Sequence, residues 1–574
     1  MIAPEGSRPA YFQGQFGRWV VALTADHMRP QLRFAVHFSA ALFVTVVLVG
    51  YMFWFGLHNR MDTVLPNPLT TRSTQLGAAI SDVAYGLDLK HAANAKIVNF
   101  LSANGISDQA ALLAPLGASF PEITKNTKIL NRAILDATRL EGIDNKLKLS
   151  DDTLAFTKME DLGIIDYYKL SFRLFGYDIA GFYYTYFVFL ASTIAIFYFG
   201  FWNRLGILAI FNVLLVGEVF AVEYIAYHST NPDLLTVHSG RFLSLLAVVP
   251  AFHLFVSLWR PGPFDVKKVV WVAIQVFFLA FVISIRNSAL WAVIVLGGSI
   301  GAMCAWAVWR NWSNPVKLLV RQVIQWPLVV MLIAAAASQV YIASQVHPAY
   351  KVLDELLPTH YTYHSLAMGL GFGDGYGRPT LDDVAPELKG ARSDPLGSQT
   401  AEVYMEKISG FKFLQYFPSN VLPMYGRPKT YERVLQAAYI DFVKEHPAFW
   451  LRLTFNIKPV MVMRLASDSF TGIVWQDRRR MAVGLIFLLI SLQVIRWTPE
   501  ERSDYKFGLV GIAGLAAAAC LPAIIAFPAV HTFADTFALI STVAVGLFVL
   551  VAQAMLAKVR QCREIVARAA CHIS

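Results

Sequence analysis

Residues 181–202 read GFYYTYFVFLASTIAIFYFGFW, and after Asn203 and Arg204 the chain continues as LGILAIFNVLLVGEVFAVEYIAYH over 205–228. Each run is apolar almost throughout and long enough for a helix to cross a bilayer, which takes about 17–25 residues. Working outward with the same window, the chain holds ten candidate spans: Phe34–Gly56, Gly181–Trp202, Leu205–His228, Val237–Trp259, Val269–Ile285, Ala289–Trp309, Val323–Ser344, Met481–Trp497, Phe507–Phe527 and Thr532–Leu556. Glu218 and Glu223 mark the third as unusual, and Pro522 and Pro528 interrupt the ninth.

The whole composition agrees. The chain of 574 residues is 56% hydrophobic and only 15% charged, with a mean hydropathy of +0.49. A soluble domain rarely has this balance and a polytopic membrane protein does. Its formal net charge of +10 does not point to nucleic acid, because the basic residues fall in short segments between apolar spans, where they set topology. The four cysteines, Cys304, Cys520, Cys562 and Cys571, have no metal-ligand spacing. Roughly thirty polar and basic residues precede the first apolar run, too many for a cleavable signal, so Phe34–Gly56 reads as a signal anchor.

Lys and Arg near the span ends orient the chain. Arg8, Arg18, Arg29 and Arg33 lie before the first span, and Lys558, Arg560, Arg563 and Arg568 after the last. Ten spans put both tails on one side, and the basic connections around Arg260, Lys267, Lys268, Arg310, Lys317, Arg321, Arg496, Arg502 and Lys506 fall there too. That side is cytoplasmic by the positive-inside rule. Arg478, Arg479 and Arg480 are the one discordant cluster. The expected fold is an all-α polytopic membrane protein of about ten transmembrane helices with two large external loops, in a bacterial inner membrane.

Its layout is a cytoplasmic tail (1–33), a first span (34–56), an external loop (57–180), six spans (181–344), a second external loop (345–480), three spans (481–556) and a cytoplasmic tail (557–574). Gly369, Gly371, Gly373, Asp374, Gly375, Gly377 and Pro379 argue loop near the start of the second external region, and Tyr431–Lys444 argues helix, ended by Pro447.

Just before the second span lies Met159-Glu160-Asp161, then Ile164–Phe175, a short helix with Gly176 as its stop. Asp166, Lys169 and Arg173 share one face of it, and Tyr167, Leu170 and Leu174 another. Acids at a membrane face are costly unless they bind or react with something. Other polar groups are expected at the same depth: Glu223 and His228 at the end of the third span, Asn231 and Asp233 after it, His238 and Arg241 at the start of the fourth. Arg286 and Asn287 form the turn between spans five and six, and His531 and Asp535 open the tenth. Singly, each is explained by snorkelling to the interface; together they form a ring of acids, histidines and arginines.

Arginine at an interface suits a phosphate head group, which its planar fork binds through two bonds. A lipid-linked sugar phosphate presents that group at that depth. Sugar transfer needs a general base for the acceptor hydroxyl, and cations, or a divalent metal held by carboxylates, for the departing phosphate. Asp161 or Glu160 can serve as base or metal ligand, and Arg241 or Arg286 can hold phosphate.

Glu160-Asp161, then Leu170-Ser171-Phe172-Arg173-Leu174-Phe175-Gly176, then Tyr183-Tyr184, resemble the acidic motif and following LxxxLFGxxxxxxY-like pattern in the first external loop of the GT-C superfamily of membrane glycosyltransferases. That superfamily includes protein O-mannosyltransferases and lipid A aminoarabinose transferases. The resemblance implies a polyprenyl-phosphate sugar donor, a lipid, glycan or periplasmic protein acceptor, and Asp161 or Glu160 as the catalytic acid. It covers the layout over most of the chain and the motif only at the end of the first loop. The segment Tyr363–Phe372, with His364 and the following Asp374, Asp382 and Asp383, is a candidate for acceptor contacts.

Three other readings compete. An oligosaccharide ligase or polymerase would rely on Arg241, Arg286 and His364. A transporter or flippase would relay protons through Glu218 and Glu223. A purely structural membrane protein would use its aromatic loops to dock a partner.

Overall fold

A computed structural model describes residues 30–59, 61, 79, 163–176, 180–228, 240–310, 325–344, 362–392, 394–410, 428–476, 497–526 and 534–573. Among them every regular element is helical. In chain order they begin with α1 (Pro30–His58), α2 (Gly163–Phe175), α3 (Ala180–Phe201) and α4 (Leu205–Tyr227). A helical turn at Gly240–Leu243 and a 3-10 turn at Ser244–Ala247 lead into α5 (Val248–Trp259), followed by α6 (Val266–Ile285), α7 (Trp291–Arg310) and α8 (Trp326–Ser344). Next come α9 (Thr362–Met368), α10 (Asp394–Ser409), α11 (Pro428–Glu445) and α12 (Pro447–Arg452), which continues through a π-helical turn at Leu453–Ile457 into α13 (Lys458–Gln476). Then come α14 (Pro499–Ala519), α15 (Leu521–Ile525) and α16 (Ala534–Ile573).

Among the described residues six stretches are long and apolar enough to cross a membrane: Gln31–His58, Ala180–Phe201, Leu205–Tyr227, Val266–Ile285, Pro499–Ile525 and Ala534–Met555. Ser244–Trp259, Trp291–Trp306 and Trp326–Ile342 are apolar but shorter. The chain is an all-α, multi-pass membrane protein. The expected eighth span, Met481–Trp497, lies outside the described residues except for Trp497.

Where the helices outrun the apolar runs, local chemistry explains it. Helix α14 starts at Pro499, well before Phe507, because Thr498 and Glu501 form a reciprocal capping box that satisfies first-turn amides. Pro522 does not end the helical path; it sits in the first turn of α15, where its missing N–H costs nothing. The fourth span is broken rather than continuous, with the 3-10 turn at Ser244–Ala247 tightening it. The predicted helix Tyr431–Lys444 starts three residues earlier, at Pro428, and Pro447 opens α12 instead of ending the helical path.

Helix α4 is the hub. It packs against α16, α1, α14 and α13, and nearly all of its most apolar stretch is buried. Apolar attraction is weak between helices in lipid, so close backbone approach and internal hydrogen bonds must hold them. Gly217 supplies the approach, since a Cβ there would collide with Thr542 and the Ala538 carbonyl of α16. A buried chain supplies the bonds: Thr45 Oγ1 and the Tyr198 hydroxyl lie 2.7 Å apart, Thr45 donates to Asn212 Oδ1 at 2.7 Å, and Asn212 Nδ2 donates to the Ala41 carbonyl at 3.1 Å. This links α1, α3 and α4 with few polar groups left over.

Helices α9 to α13 build a layer with two small cores, one around Leu381, Leu396, Phe449 and Leu453 and one around Ala367, Ala401, Tyr431 and Leu435. The layer docks on the bundle at the α4 C-terminus. His228 Nε2 lies 3.0 Å from Ser469 Oγ. Lys458 donates to the Ala526 and Ile525 carbonyls at 2.6 and 3.1 Å, satisfying carbonyls that the end of α15 leaves unpaired.

Candidate functional site

The polar groups within the bundle gather near the C-terminal end of α4. Glu218 is fully buried and Glu223 is 5% exposed. Five residues apart on one helix, they point to different neighbours. The Tyr51 hydroxyl of α1 donates to Glu223 Oε1 at 2.6 Å. Glu218 lies within electrostatic reach of Asp535 on α16 and of Tyr186 on α3. Neither Glu218 oxygen has a hydrogen-bond partner among the described residues.

Asp535 is the meeting point of three helix ends. It stands in the first turn of α16, where the positive end of the helix favours an acid. Trp291 Nε1, at the start of α7, donates to Asp535 Oδ2 at 2.7 Å, and the Thr536 amide donates to Oδ1 at 2.9 Å. Arg286, which caps the C-terminus of α6 in extended backbone, acts on Asp535 electrostatically. Among the described residues, Asp535 thus gathers Glu218, Arg286, Trp291 and, through Glu218, Tyr186 from α3, α4, α6 and α7, while Glu223 and Tyr51 form a separate pair between α4 and α1.

Helix α2 adjoins the Asp535 group. Gly163 sits so tightly against Ser284 and Ile285 of α6 that a Cβ would clash with both, and Ile285 precedes Arg286 directly. The buried face of α2 consists of Ile164, Ile165, Tyr167, Tyr168, Ser171 and Phe172. This corrects the expected apolar face: Leu174 is 53% exposed and Tyr168 and Phe172 take its place, because α2 packs between α3 and α6 rather than along one surface. Asp166 and Lys169 are half-buried and Arg173 is exposed. Burial first, and Arg173 second, push the Lys169 ammonium below its ordinary value. Gly176 ends the helix as expected, at φ +75°, a conformation that favours glycine.

His364 is elsewhere. Its Nδ1 lies 2.7 Å from the Tyr431 hydroxyl and its backbone amide donates to Glu432 at 3.0 Å. The Tyr363 amide donates to the same carboxylate at 2.8 Å. Glu432 thereby caps α9, and His364 is a core residue of the docked layer, not a member of the carboxylate cluster. Asp382 pairs with Arg392 at 3.1 Å and Asp383 caps its own helical turn through Thr380; both serve the layer's turns. His228 binds Ser469, and burial pushes its imidazole below the ordinary range, so it joins α4 to α13 as a neutral ring. Arg241 falls in the helical turn Gly240–Leu243. Glu160, Asp161, Asn231, Asp233, His238 and His531 lie outside the described residues.

Among the described residues no group of three or more His, Cys, Asp or Glu stands close enough to hold a metal ion. Glu218 and Asp535 were visible in the sequence as acids in or beside apolar runs. Tyr51, Tyr186 and Trp291 were not, because an aromatic in a span ordinarily faces lipid or core. No protein family, curated protein or solved structure matches this chain.

Proposed function

We propose that this protein is a membrane glycosyltransferase of the GT-C type, moving a sugar from a polyprenyl-phosphate donor to a lipid, glycan or periplasmic protein acceptor. On this reading it crosses a bacterial inner membrane ten times, with both tails cytoplasmic and two large external loops. The observation that carries the reading is the seat of Gly163 on the last turn of α6, beside Arg286. On this reading Glu160 and Asp161, three and two positions before Gly163 in the sequence, supply the carboxylate that works with Arg286.

The chemistry then follows from these groups. The acceptor hydroxyl loses its proton to the Asp161 or Glu160 carboxylate as its oxygen attacks the anomeric carbon. The bond from that carbon to the phosphate oxygen breaks, and the departing phosphate takes both electrons. Arg286 meets the charge that develops there, while Asp535 orients its guanidinium and Trp291 orients Asp535. Lys169 and Arg173 attract the anionic donor to this end of the bundle.

Reconstituted transfer from a radiolabelled polyprenyl-phosphate sugar tests the scheme. Asp161→Asn should lower turnover by about 10²–10⁴-fold, the usual share of a general base, with insertion and folding unchanged. Full activity in both Asp161→Asn and Glu160→Gln removes the assignment. If Arg286→Ala abolishes activity while Asp161→Asn does not, the ligase or polymerase reading replaces it.

One observation favours a second reading, proton-coupled transport. Glu218 is wholly buried in α4 with neither oxygen bonded among the described residues, and an ionisable group inside a span is functional by default. Flux that survives Asp161→Asn and vanishes in Glu218→Gln selects transport.

A further inference from the structure

The opposite end of the bundle carries a different feature. Where α3 ends, α4 begins and α5 turns into α6, a cavity of about 90 Å³ is lined by Arg204, Arg260, Lys268, His253 and Ser257, with Trp326 at its edge. No carboxylate lines it among the described residues. A cavity of this size holds several waters, and so admits a tetrahedral phosphate.

The charges around it are uneven. Asp504 of α14 balances part of the set: Arg260 lies 3.7 Å from its Oδ1, and Arg204 is in electrostatic reach. Arg260 also stands over the Phe507 ring at 4.8 Å, which fixes its direction. The next carboxylate on α14, Glu501, is taken by Arg33 at 2.7 Å. Lys268 has no ion pair among the described residues; its ammonium rests so close to Gly262 that a Cβ there would lie 2.8 Å from Nζ. His253, 1% exposed, contributes a ring whose Nδ1 is buried and unbonded among the described residues. Three cations, Arg204, Arg260 and Lys268, converge on one space, with Asp504 behind Arg260. Like charges so held repel, and an anion between them relieves that repulsion.

We propose that this cavity binds a phosphate group. Basic pockets between membrane helices suit lipid head groups, and the rim here is apolar: Phe199, Phe264 and Val266 are exposed beside it, and Trp326 donates to the Gly262 carbonyl at 3.1 Å. A phosphodiester of an anionic lipid would place its phosphate among Arg204, Arg260 and Lys268 with its chains along α6 and α8. Free phosphate satisfies the same donors. The site is independent of the transfer reaction and stands or falls apart from it.

The test uses the full chain in detergent, with two probes. Phosphatidylglycerol retained on the protein is counted by native mass spectrometry against phosphatidylcholine, and inorganic phosphate is titrated with thermal unfolding as the readout. Lys268→Gln and Arg204→Gln remove lining charges. Lys267→Gln removes an exposed neighbour that does not line the cavity and is the control. We expect binding in at least one arm, weakened about tenfold by Lys268→Gln, the loss of one charge-assisted bond, and unchanged in Lys267→Gln. Retention of phosphatidylglycerol alone identifies a lipid; protection by phosphate with the same residue dependence identifies the free anion. No binding in either arm, or equal binding in wild type and Lys268→Gln/Arg204→Gln, overturns the proposal. Lys268→Arg, which keeps the charge, guards against a folding defect by restoring binding.

Discussion

Lys458 shows what one residue does at the junction between bundle and layer. Its side chain is 2% exposed, and burial pushes its ammonium down to about 7, against about 10.4 in an unfolded chain. Between those values the unfolded chain binds more protons, so stability rises as pH climbs from about 7 to about 10; below 7 the folded chain carries the full cost of the buried charge. Hydrogen exchange of the α13 amides in detergent should therefore slow, beyond the intrinsic chemical rate, as pH is raised through that window. Lys458→Met should remove this dependence, and a slope that persists in the variant would show that another group sets it. None of this was legible in the sequence, where Lys458 is one lysine among mostly apolar neighbours such as Ile457, Val460 and Met461. The two carbonyls that hold it, at Ile525 and Ala526, come from 67 and 68 residues further on. His364 teaches the converse: a histidine among glycines and acids invites a binding role, and its partners Tyr431 and Glu432 make it a core residue.

Helices were the most legible level. The spans Gly181–Trp202 and Leu205–His228 match α3 and α4 to within one residue at each end, because membrane helices are set by length and apolar content, both local properties. What they pack against is set by shape. Gly217 and Gly514 look alike in sequence, each a glycine in an apolar run. A Cβ at Gly217 meets α16, whereas at Gly514 nothing lies within 4 Å. Gly217→Val should thus destabilise the protein by about 1–3 kcal/mol, the usual cost of overpacking, while Gly514→Ala should be neutral or slightly stabilising through helix propensity. Thermal unfolding of the two variants in one detergent compares them directly; equal behaviour would mean that α4 and α16 are not in close contact.

At the scale of the molecule, ion pairs and hydrogen bonds mark two ends of one bundle. Arg33–Glu501 and Arg260–Asp504 tie one end, and Tyr51–Glu223, Trp291–Asp535 and the docked layer mark the other. In three single-cysteine variants, with the cysteine at position 33, at position 389 or at the native Cys562 and every other cysteine replaced, positions 33 and 389 should be labelled by an impermeant reagent from opposite sides of sealed vesicles, and Cys562 from the same side as position 33. Labelling of all three from one side would sink the ten-span arrangement. The sequence by itself determined that this chain is helical and lives in a membrane, because a run of apolar side chains has one low-energy solvent and one backbone form within it. Only the tertiary structure decided which polar groups meet: Tyr51 finds Glu223 across 172 positions and Trp291 finds Asp535 across 244. Such pairings depend on which helices become neighbours, and hydropathy along one strand of sequence carries no record of that.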